Sequence, residues 1–328
     1  MVDNAETSVK RLRRTSAGGS ADEPASASRI GIDIGGSGIK GGRVDLATGA
    51  LLGDRTRIDT PSRSSPRSVA QAVATVVDLV GGDGPIGITF PGIVRGGVIG
   101  SAANLRRSWL GTDAAALFAD RLMRDVVILN DADAAGIAEM RFGAGRGKGG
   151  VVVVVTLGTG IGGGIVRKGE LFSGDTNSAA EIWLMRNKLS PEMNVEEGAC
   201  IRAVRRVYAK MAGIAFEQSP DPRGIEQIAL GTAEGNAGAA RESYRRLGEV
   251  VGDTIGNALT LVDGLVVIGG GVSKGWRLFW PALMEELNSQ YTGPNGNSYR
   301  RLNQTVFNLE DSSQLDKFLQ SDTRALEP

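Results

Sequence analysis

The sequence has no histidine and a single cysteine, Cys200, among 328 residues. Those absences exclude a disulfide framework, a Cys/His zinc site, a Ser-His-Asp triad and any imidazole acid or base. Also missing is an apolar run of about 18 or more residues, the length that a membrane-spanning helix needs. Neither sign of charge is in excess: 37 Lys and Arg stand against 37 Asp and Glu, for a formal net charge of +0. No global field therefore draws the chain to nucleic acid or to an anionic membrane. Chemistry must run on carboxylates, lysine, hydroxyls and backbone amides. A soluble, cytoplasmic protein with neither nucleic-acid nor membrane partners is expected.

What is abundant is glycine, with 48 residues, roughly twice the usual share of about 7%. Hydrophobic residues make up 41%, enough for a core, and the length suits about two domains. Residues 1–28 are rich in Ser, Ala, Asp and Glu and have no apolar core. They read as a disordered tail, not as a signal peptide despite Arg13-Arg14, and the Lys10 to Arg14 cluster reads as solvated charge.

Ordered sequence begins at Arg29, and apolar residues alternate through Ile34 as in a strand. Gly35 to Gly38 turns the chain, and Ile39 to Leu46 and Leu51 to Ile58 continue as strands. Helical spacing over residues 67–80, a strand at Ile86 to Phe90, a helix near 112–122, a strand at Val126 to Leu129 and a helix from Ala132 follow, an α/β alternation. After the loop Gly143 to Gly150, the strand Val151 to Leu157, the turn Gly158-Thr159-Gly160 and a further strand repeat the opening pattern. This predicts an internal duplication, with a domain over 29–130, a second over 131–328, and two glycine hairpins facing one cleft. Helices are expected near 198–211 and 233–261, then a strand at Leu265 to Ile268, and only short elements from Asn288 on.

Gly36-Ser37-Gly38-Ile39-Lys40-Gly41 satisfies the dinucleotide pattern G-x-G-x-x-G, but so does Gly158 to Gly163. That fingerprint needs a helix after the glycines, and Gly41 to Leu46 favours a strand. Glycine also lets backbone N–H groups approach phosphate oxygens, so two such hairpins suit a polyphosphate tail. Asp33 beside the first hairpin would hold Mg²⁺ through water. Asn130-Asp131 ends a buried strand and starts a helix, the place where α/β sheets bind ligands. Asp131 is then either a base that deprotonates a substrate hydroxyl as it attacks a phosphoryl group or the cap of the helix. Asp133 points from a different helix face.

Five motifs in order complete the pattern: Asp33 to Lys40, Ala103-Asn104-Leu105, Asn130 to Gly136, Thr156 to Gly162, and Ile268 to Ser273. Together they resemble the ROK family of sugar kinases, repressors and related proteins. Gly87 to Val94 and Asn104 to Gly111 are most similar to that family's polyphosphate glucokinase branch. The resemblance implies an actin-like (ribonuclease H-like) fold of two α/β domains and phosphoryl transfer to the 6-hydroxyl of glucose or a related hexose. ATP or inorganic polyphosphate would be the donor, with Mg²⁺, in a homodimer. By position, Asp131 would be the base, and Asn104, Asn130, Asp131, Glu181 and Glu196 would bind the sugar. Gly35, Gly36, Ser37, Gly38, Lys40, Thr159 and Gly160 would hold phosphates, and Gly270 and Gly271 would lie near an adenosine.

The second half departs from the polyphosphate branch. Where the family commonly has Glu-Ile-Gly-His, this chain reads Glu181-Ile182-Trp183-Leu184, without the imidazole expected on the sugar. The family's Cys-rich zinc loop is absent, so zinc is not expected, and no Gly/Ala-rich closing helix is evident after Ser312. An alternative is thus a sugar-binding ROK sensor or an inactive homologue; 28 polar residues before Arg29 do not supply a DNA-binding domain.

Overall fold

In the computed structural model, which describes residues 28–102, 105–147 and 149–322, the alternating isoleucines form strand β1 (Ser28–Ile34). Strand side chains alternate between faces, and Ile30, Ile32 and Ile34 are all buried on one of them. β1 pairs antiparallel with β2 (Gly38–Asp45), and β2 with β3 (Leu51–Asp59). Helix α1 (Pro66–Val80) starts sharply because the Ser65 hydroxyl accepts from the Ser68 amide and Pro66 needs no amide partner there. β4 (Ile86–Phe90) then joins β1 in parallel. After β5 (Val94–Arg95), β6 (Val98–Ile99) and α2 (Ala114–Leu122), β7 (Val126–Asn130) joins β4 in parallel. The sheet order is β3-β2-β1-β4-β7. Val69, Val73 and Val76 of α1 pack with the isoleucines, Phe90, Trp109 and Phe118 into one core. Trp109 is fully buried, and its indole N–H donates to the Ser64 carbonyl at 2.9 Å, so it anchors that core.

Next come α3 (Asp131–Arg141), β8 (Val151–Leu157), β9 (Ile161–Arg167) and β10 (Glu170–Leu171). They lead to α4 (Ile201–Ala212), α5 (Pro222–Ala229), α6 (Ala237–Val262), β11 (Leu265–Gly269) and α7 (Trp276–Leu287). Last are β12 (Gln290–Thr292), β13 (Ser298–Arg300) and α8 (Ser312–Asp322). A second sheet has the order β10-β9-β8-β11. Leu157, Val204, Tyr208, Leu247, Val251 and Phe279 belong to the second core. After both glycine runs the chain enters a strand, β2 and β9, and not the helix that a dinucleotide fingerprint requires.

The chain divides into two units: one runs to Val152 and includes Gly164–Ala180, the other holds Val153–Gly163 and continues from Glu181. This differs from the boundary expected after Asn130. α3 stays with the first unit because two glycines let its backbone lie against β9. A Cβ on Gly164 would stand 2.7 Å from the Ala132 carbonyl oxygen, and one on Gly136 3.1 Å from Val166. Of the expected tail, residues 1–27 lie outside the described residues, and Ser28 already belongs to β1. Beyond Ser312, where only short elements are expected, the chain forms α8, a helix of 11 residues with neither Gly nor Ala.

A feature of α6 is not evident from its periodicity. Gly248, Gly252 and Gly256 recur at i, i+4 and i+8 on one buried stripe. A Cβ on Gly248 would meet the Phe279 backbone, and one on Gly252 would stand 2.9 Å from the Leu283 carbonyl oxygen. Gly256 leaves room for the Arg301 guanidinium, which donates to Asp253 and Asn257. Gly248 and Gly252 therefore set how closely α7 approaches α6.

Candidate active site

In the first unit, the turn between β1 and β2 is closed by the Gly35 amide donating to the Gly38 carbonyl at 2.9 Å. Thr60 Oγ1 donates to the Gly35 carbonyl at 2.6 Å, and Arg57 Nη2 to the Ser37 carbonyl at 3.2 Å. A Cβ on Gly38 would lie 2.8 Å from the Arg57 guanidinium, which would have to move aside. Gly36 and Ser37 are left exposed at the tip. Asp33 lies on the sheet face opposite the isoleucines, where it lines a groove of about 390 Å³ with Gly31, Gly87 and Thr89. Its Oδ2 accepts from Lys40 Nζ at 3.0 Å and its Oδ1 from Thr89 Oγ1 at 2.9 Å. Lys40, expected on phosphates, is thus paired with Asp33. The two side chains remain 44% and 46% exposed, so this surface pair stabilises the fold by only about 0–1 kcal/mol.

An Mg²⁺ that arrives with phosphates would be held at Asp33 through water, beside the Lys40 ammonium that already pairs with its Oδ2. Such an ion keeps several waters and takes one or two carboxylates, and each Asp33 oxygen retains a lone pair for a bound water. Among the described residues no cluster of three acidic, Cys or His side chains forms a dedicated metal cage.

At the start of α3 the two readings of Asn130-Asp131 separate. Asn130 is the cap: its Oδ1 accepts from the amides of Ala132 at 2.8 Å and Asp133 at 3.2 Å, while its Nδ2 donates to the Gly92 carbonyl at 3.1 Å. Asp131 is the first residue of the helix, with an exposed side chain whose Oδ1 accepts from the Ala132 amide at 2.9 Å. The positive end of α3 favours a carboxylate here.

In the second unit, the turn between β8 and β9 is closed one residue tighter, with the Gly158 amide donating to the Gly160 carbonyl at 2.9 Å. The Ile201 amide, opening α4, donates to the Gly158 carbonyl at 2.9 Å. Glu181 precedes a 3-10 turn (Ile182–Leu184), and Glu196 sits in another (Val195–Glu197). The Val195 amide joins the two turns by donating to the Met185 carbonyl at 2.8 Å. The Trp183 indole N–H donates to the Glu181 carboxylate, and Leu184 is 61% exposed. Glu196 reaches the hairpin: a Cβ on Gly160 would overlap its carboxylate, with 3.1 Å to Cδ.

Arg202 of α4 joins these parts. Its Nη2 donates to Glu196 Oε1 at 3.2 Å and Glu197 Oε1 at 3.1 Å, and its Nη1 lies 3.4 Å from the Thr159 carbonyl. The hydrogen bond from Arg206, with help from Arg202, holds the Glu197 carboxyl below the usual range against the opposing effect of burial. Burial pushes the neighbouring Cys200 thiol up, which leaves it protonated and unreactive. Gly270 has φ 93° and presses on Leu157, where a Cβ would stand 2.7 Å from the backbone nitrogen. Gly271 follows it, exposed, ahead of a 3-10 turn at Val272–Gly275.

Asp33, Gly35, Gly36, Ser37, Gly38, Lys40, Asn130 and Asp131 thus belong to the first unit, and Thr159, Gly160, Glu181, Glu196, Gly270 and Gly271 to the second. Asn104 lies outside the described residues, as do Lys148 and the Lys10 to Arg14 cluster. Arg202 and Trp183 do not stand out in the sequence, because neither contact follows from a local motif. Gly160→Ala is expected to keep the fold, since only the end of a flexible side chain must move, yet to displace the Glu196 carboxylate. Thermal melting of the variant should then stay near that of the wild type, and a crystal structure should show the Glu196 carboxylate moved away from the hairpin.

Two glycine hairpins, each closing a strand pair, and an acid in the first turn of a helix that follows a half-buried strand define a class. The chain belongs to the ROK family, whose model matches residues 29–313. The N-terminal half is similar to the polyphosphate glucokinase of Mycobacterium tuberculosis, 52% identical over 143 residues, which are 43% of this chain and 54% of that protein. The chain therefore spans little more than half the length of that curated relative. Among solved structures, a glucokinase from Parabacteroides distasonis aligns with a TM-score of 0.73 at 29% identity, covering 90% of this chain and 85% of that one. An inorganic polyphosphate/ATP-glucomannokinase from Arthrobacter sp. strain KM aligns with a TM-score of 0.59 at 37% identity, covering 78% and 88%. The fold is the actin-like α/β fold of the ROK glucokinases.

Proposed function

We propose that the protein is a hexose kinase that transfers a phosphoryl group from ATP or inorganic polyphosphate to the 6-hydroxyl of glucose or a related hexose. The observation that carries this reading is the division of labour at the start of α3. Asn130 caps the helix, and beside it the Asp131 carboxylate stands exposed at the first helical position, where it would orient the sugar hydroxyl and take its proton as the oxygen attacks phosphorus. Glu181 and Glu196 accept hydrogen bonds from ring hydroxyls, and Asn104 and Asn130 complete the sugar contacts. The exposed tips at Gly36-Ser37 and Thr159, with the half-buried Gly160, offer backbone N–H groups to phosphate oxygens. Gly270 and Gly271 take the adenosine when ATP is the donor. Mg²⁺ neutralises phosphate charge when bound, and Asp33 holds it through water. A cytoplasmic location and a homodimer belong to the same reading.

The relatives' names support both donors, since one is a polyphosphate glucokinase and another a polyphosphate/ATP-glucomannokinase. The deciding assay offers glucose and mannose with Mg²⁺ and either ATP or polyphosphate, and reads the hexose phosphate. Asp33→Asn is expected to raise the Mg²⁺ concentration needed for half-maximal rate, and an unchanged requirement would remove Asp33 from that role.

One observation favours a second reading, a sugar-binding ROK sensor or inactive homologue. The Glu181 carboxylate is engaged by Trp183, and Leu184 stands where the family has an imidazole. Sugar binding by calorimetry with no phosphorylated product from either donor would decide for it.

A further inference from the structure

Two loops of the second unit, far apart in sequence, meet at one guanidinium. The hairpin Gly158–Gly160 offers the Thr159 carbonyl, and the 3-10 turn Val195–Glu197 offers two carboxylates. Glu197 has a second cation in Arg206, which donates to its Oε2 at 2.6 Å. Glu196 pairs with Arg202. Arg202 holds Glu196 Oε1, and the other oxygen, Oε2, is the one that a Cβ on Gly160 would strike. The carboxylate is thus fixed from two sides, by a guanidinium at one oxygen and by the bare glycine backbone at the other.

Charge alone does not require this arrangement. Two guanidiniums, Arg202 and Arg206, face two carboxylates, Glu196 and Glu197, and cancel. A net attraction for the donor's phosphates is therefore not what Arg202 supplies. Its side chain is 42% exposed and that of Glu196 29%, so the pair adds little to stability. What remains is geometry: a planar fork holds a carbonyl from one nitrogen and two carboxylates from the other in fixed directions, whereas an ammonium carries its three donors on one freely rotating nitrogen.

Resting on the reading of Glu196 as a sugar ligand, we propose that Arg202 is a positioning residue that aligns the Glu196 carboxylate with the Thr159-Gly160 hairpin for hexose binding. Arg202 contacts neither sugar nor donor in this role. It acts through Glu196, so its loss changes binding of the hexose and spares the chemical step.

The test is titration calorimetry with glucose on the full chain and its R202Q, R202K, R206Q and E196Q variants, with thermal melting and the KM and kcat for glucose beside it. R202Q and R202K are expected to weaken glucose binding about tenfold or more, the scale of one charge-assisted hydrogen bond. Melting should shift little, kcat should change less than KM, and R206Q should bind glucose as the wild type does. If E196Q loses affinity while R202Q keeps it, the proposal fails and the sugar role of Glu196 stands. If E196Q binds normally, that role fails and the proposal with it, and a wild type that takes up no hexose removes the functional reading itself. An R206Q defect equal to that of R202Q would assign the effect to the ionic cluster as a whole and overturn the proposal. Full affinity in R202K would overturn the fork. If R202Q fails to fold, R202K carries the same comparison.

Discussion

Asp131→Asn is expected to lower kcat for phosphoryl transfer to glucose by about 10²–10⁴-fold, the contribution of a positioned general base, while glucose affinity stays within a few-fold of wild type. The substitution is nearly isosteric, and the amide oxygen can still accept from the Ala132 amide as Asp131 Oδ1 does. Asn130, not Asp131, caps α3, so the helix keeps its start. The lost charge at the positive helix end costs about 0.3–1 kcal/mol. A base and a cap would respond differently: removing a cap costs about 0.5–2 kcal/mol and leaves chemistry to follow stability. The measurement is hexose phosphate formation under saturating donor, with melting temperature and glucose calorimetry on the same preparations. A mutant that turns over at the wild-type rate would falsify the role of Asp131. A wild type that binds glucose and yields no product would instead move the protein to the sensor reading.

How far these parts can be read from sequence depends on how local their causes are. β1, the Gly35 to Gly38 turn and β2 are legible because alternation and a glycine turn act over a few residues. Asp131 is legible as the acid at a strand end, yet which of Asn130 and Asp131 caps the helix is decided by side-chain geometry that the sequence leaves open. The domain boundary is displaced from Asn130 because Gly136 and Gly164 permit a contact between α3 and β9 that neither segment announces. α5 and α7 have no counterpart in the sequence-based expectation. α5 is eight residues long, and α7 carries Pro281 within it, a residue that ordinarily interrupts helix patterning. The meeting of Glu196, Gly160 and Arg202 is tertiary throughout, so the motif supplies the residues and only the fold supplies their alignment.

The glycine stripe of α6 separates two effects that usually oppose each other. Glycine inside a helix is less favourable than alanine by about 0.8–1.0 kcal/mol, so Gly→Ala stabilises wherever a methyl group has room. Gly238, in the first turn of α6, has room: its Cβ would meet only the Asn236 side chain at 3.4 Å. Gly238→Ala is therefore expected to stabilise by about 0.5–1 kcal/mol, less than the full propensity because the site lies near the helix start. Gly248 has none. Its Cβ would overlap the Phe279 carbonyl and stand 3.1 Å from the Leu283 amide nitrogen, and both are backbone atoms of α7 that cannot rotate aside. Overpacking of this kind costs typically 1–3 kcal/mol, occasionally more, which outweighs the propensity gain. Gly248→Ala should lower the melting temperature by several degrees, at about 2–4 °C per kcal/mol for a unit of this size, while Gly238→Ala raises it by one to a few. The pair is the control for each variant, since both place the same methyl group on the same helix. A Gly248→Ala protein that melts with or above the wild type would mean that α7 can withdraw from α6 without penalty. The close approach at Gly248 and Gly252 would then not be what fixes the two helices.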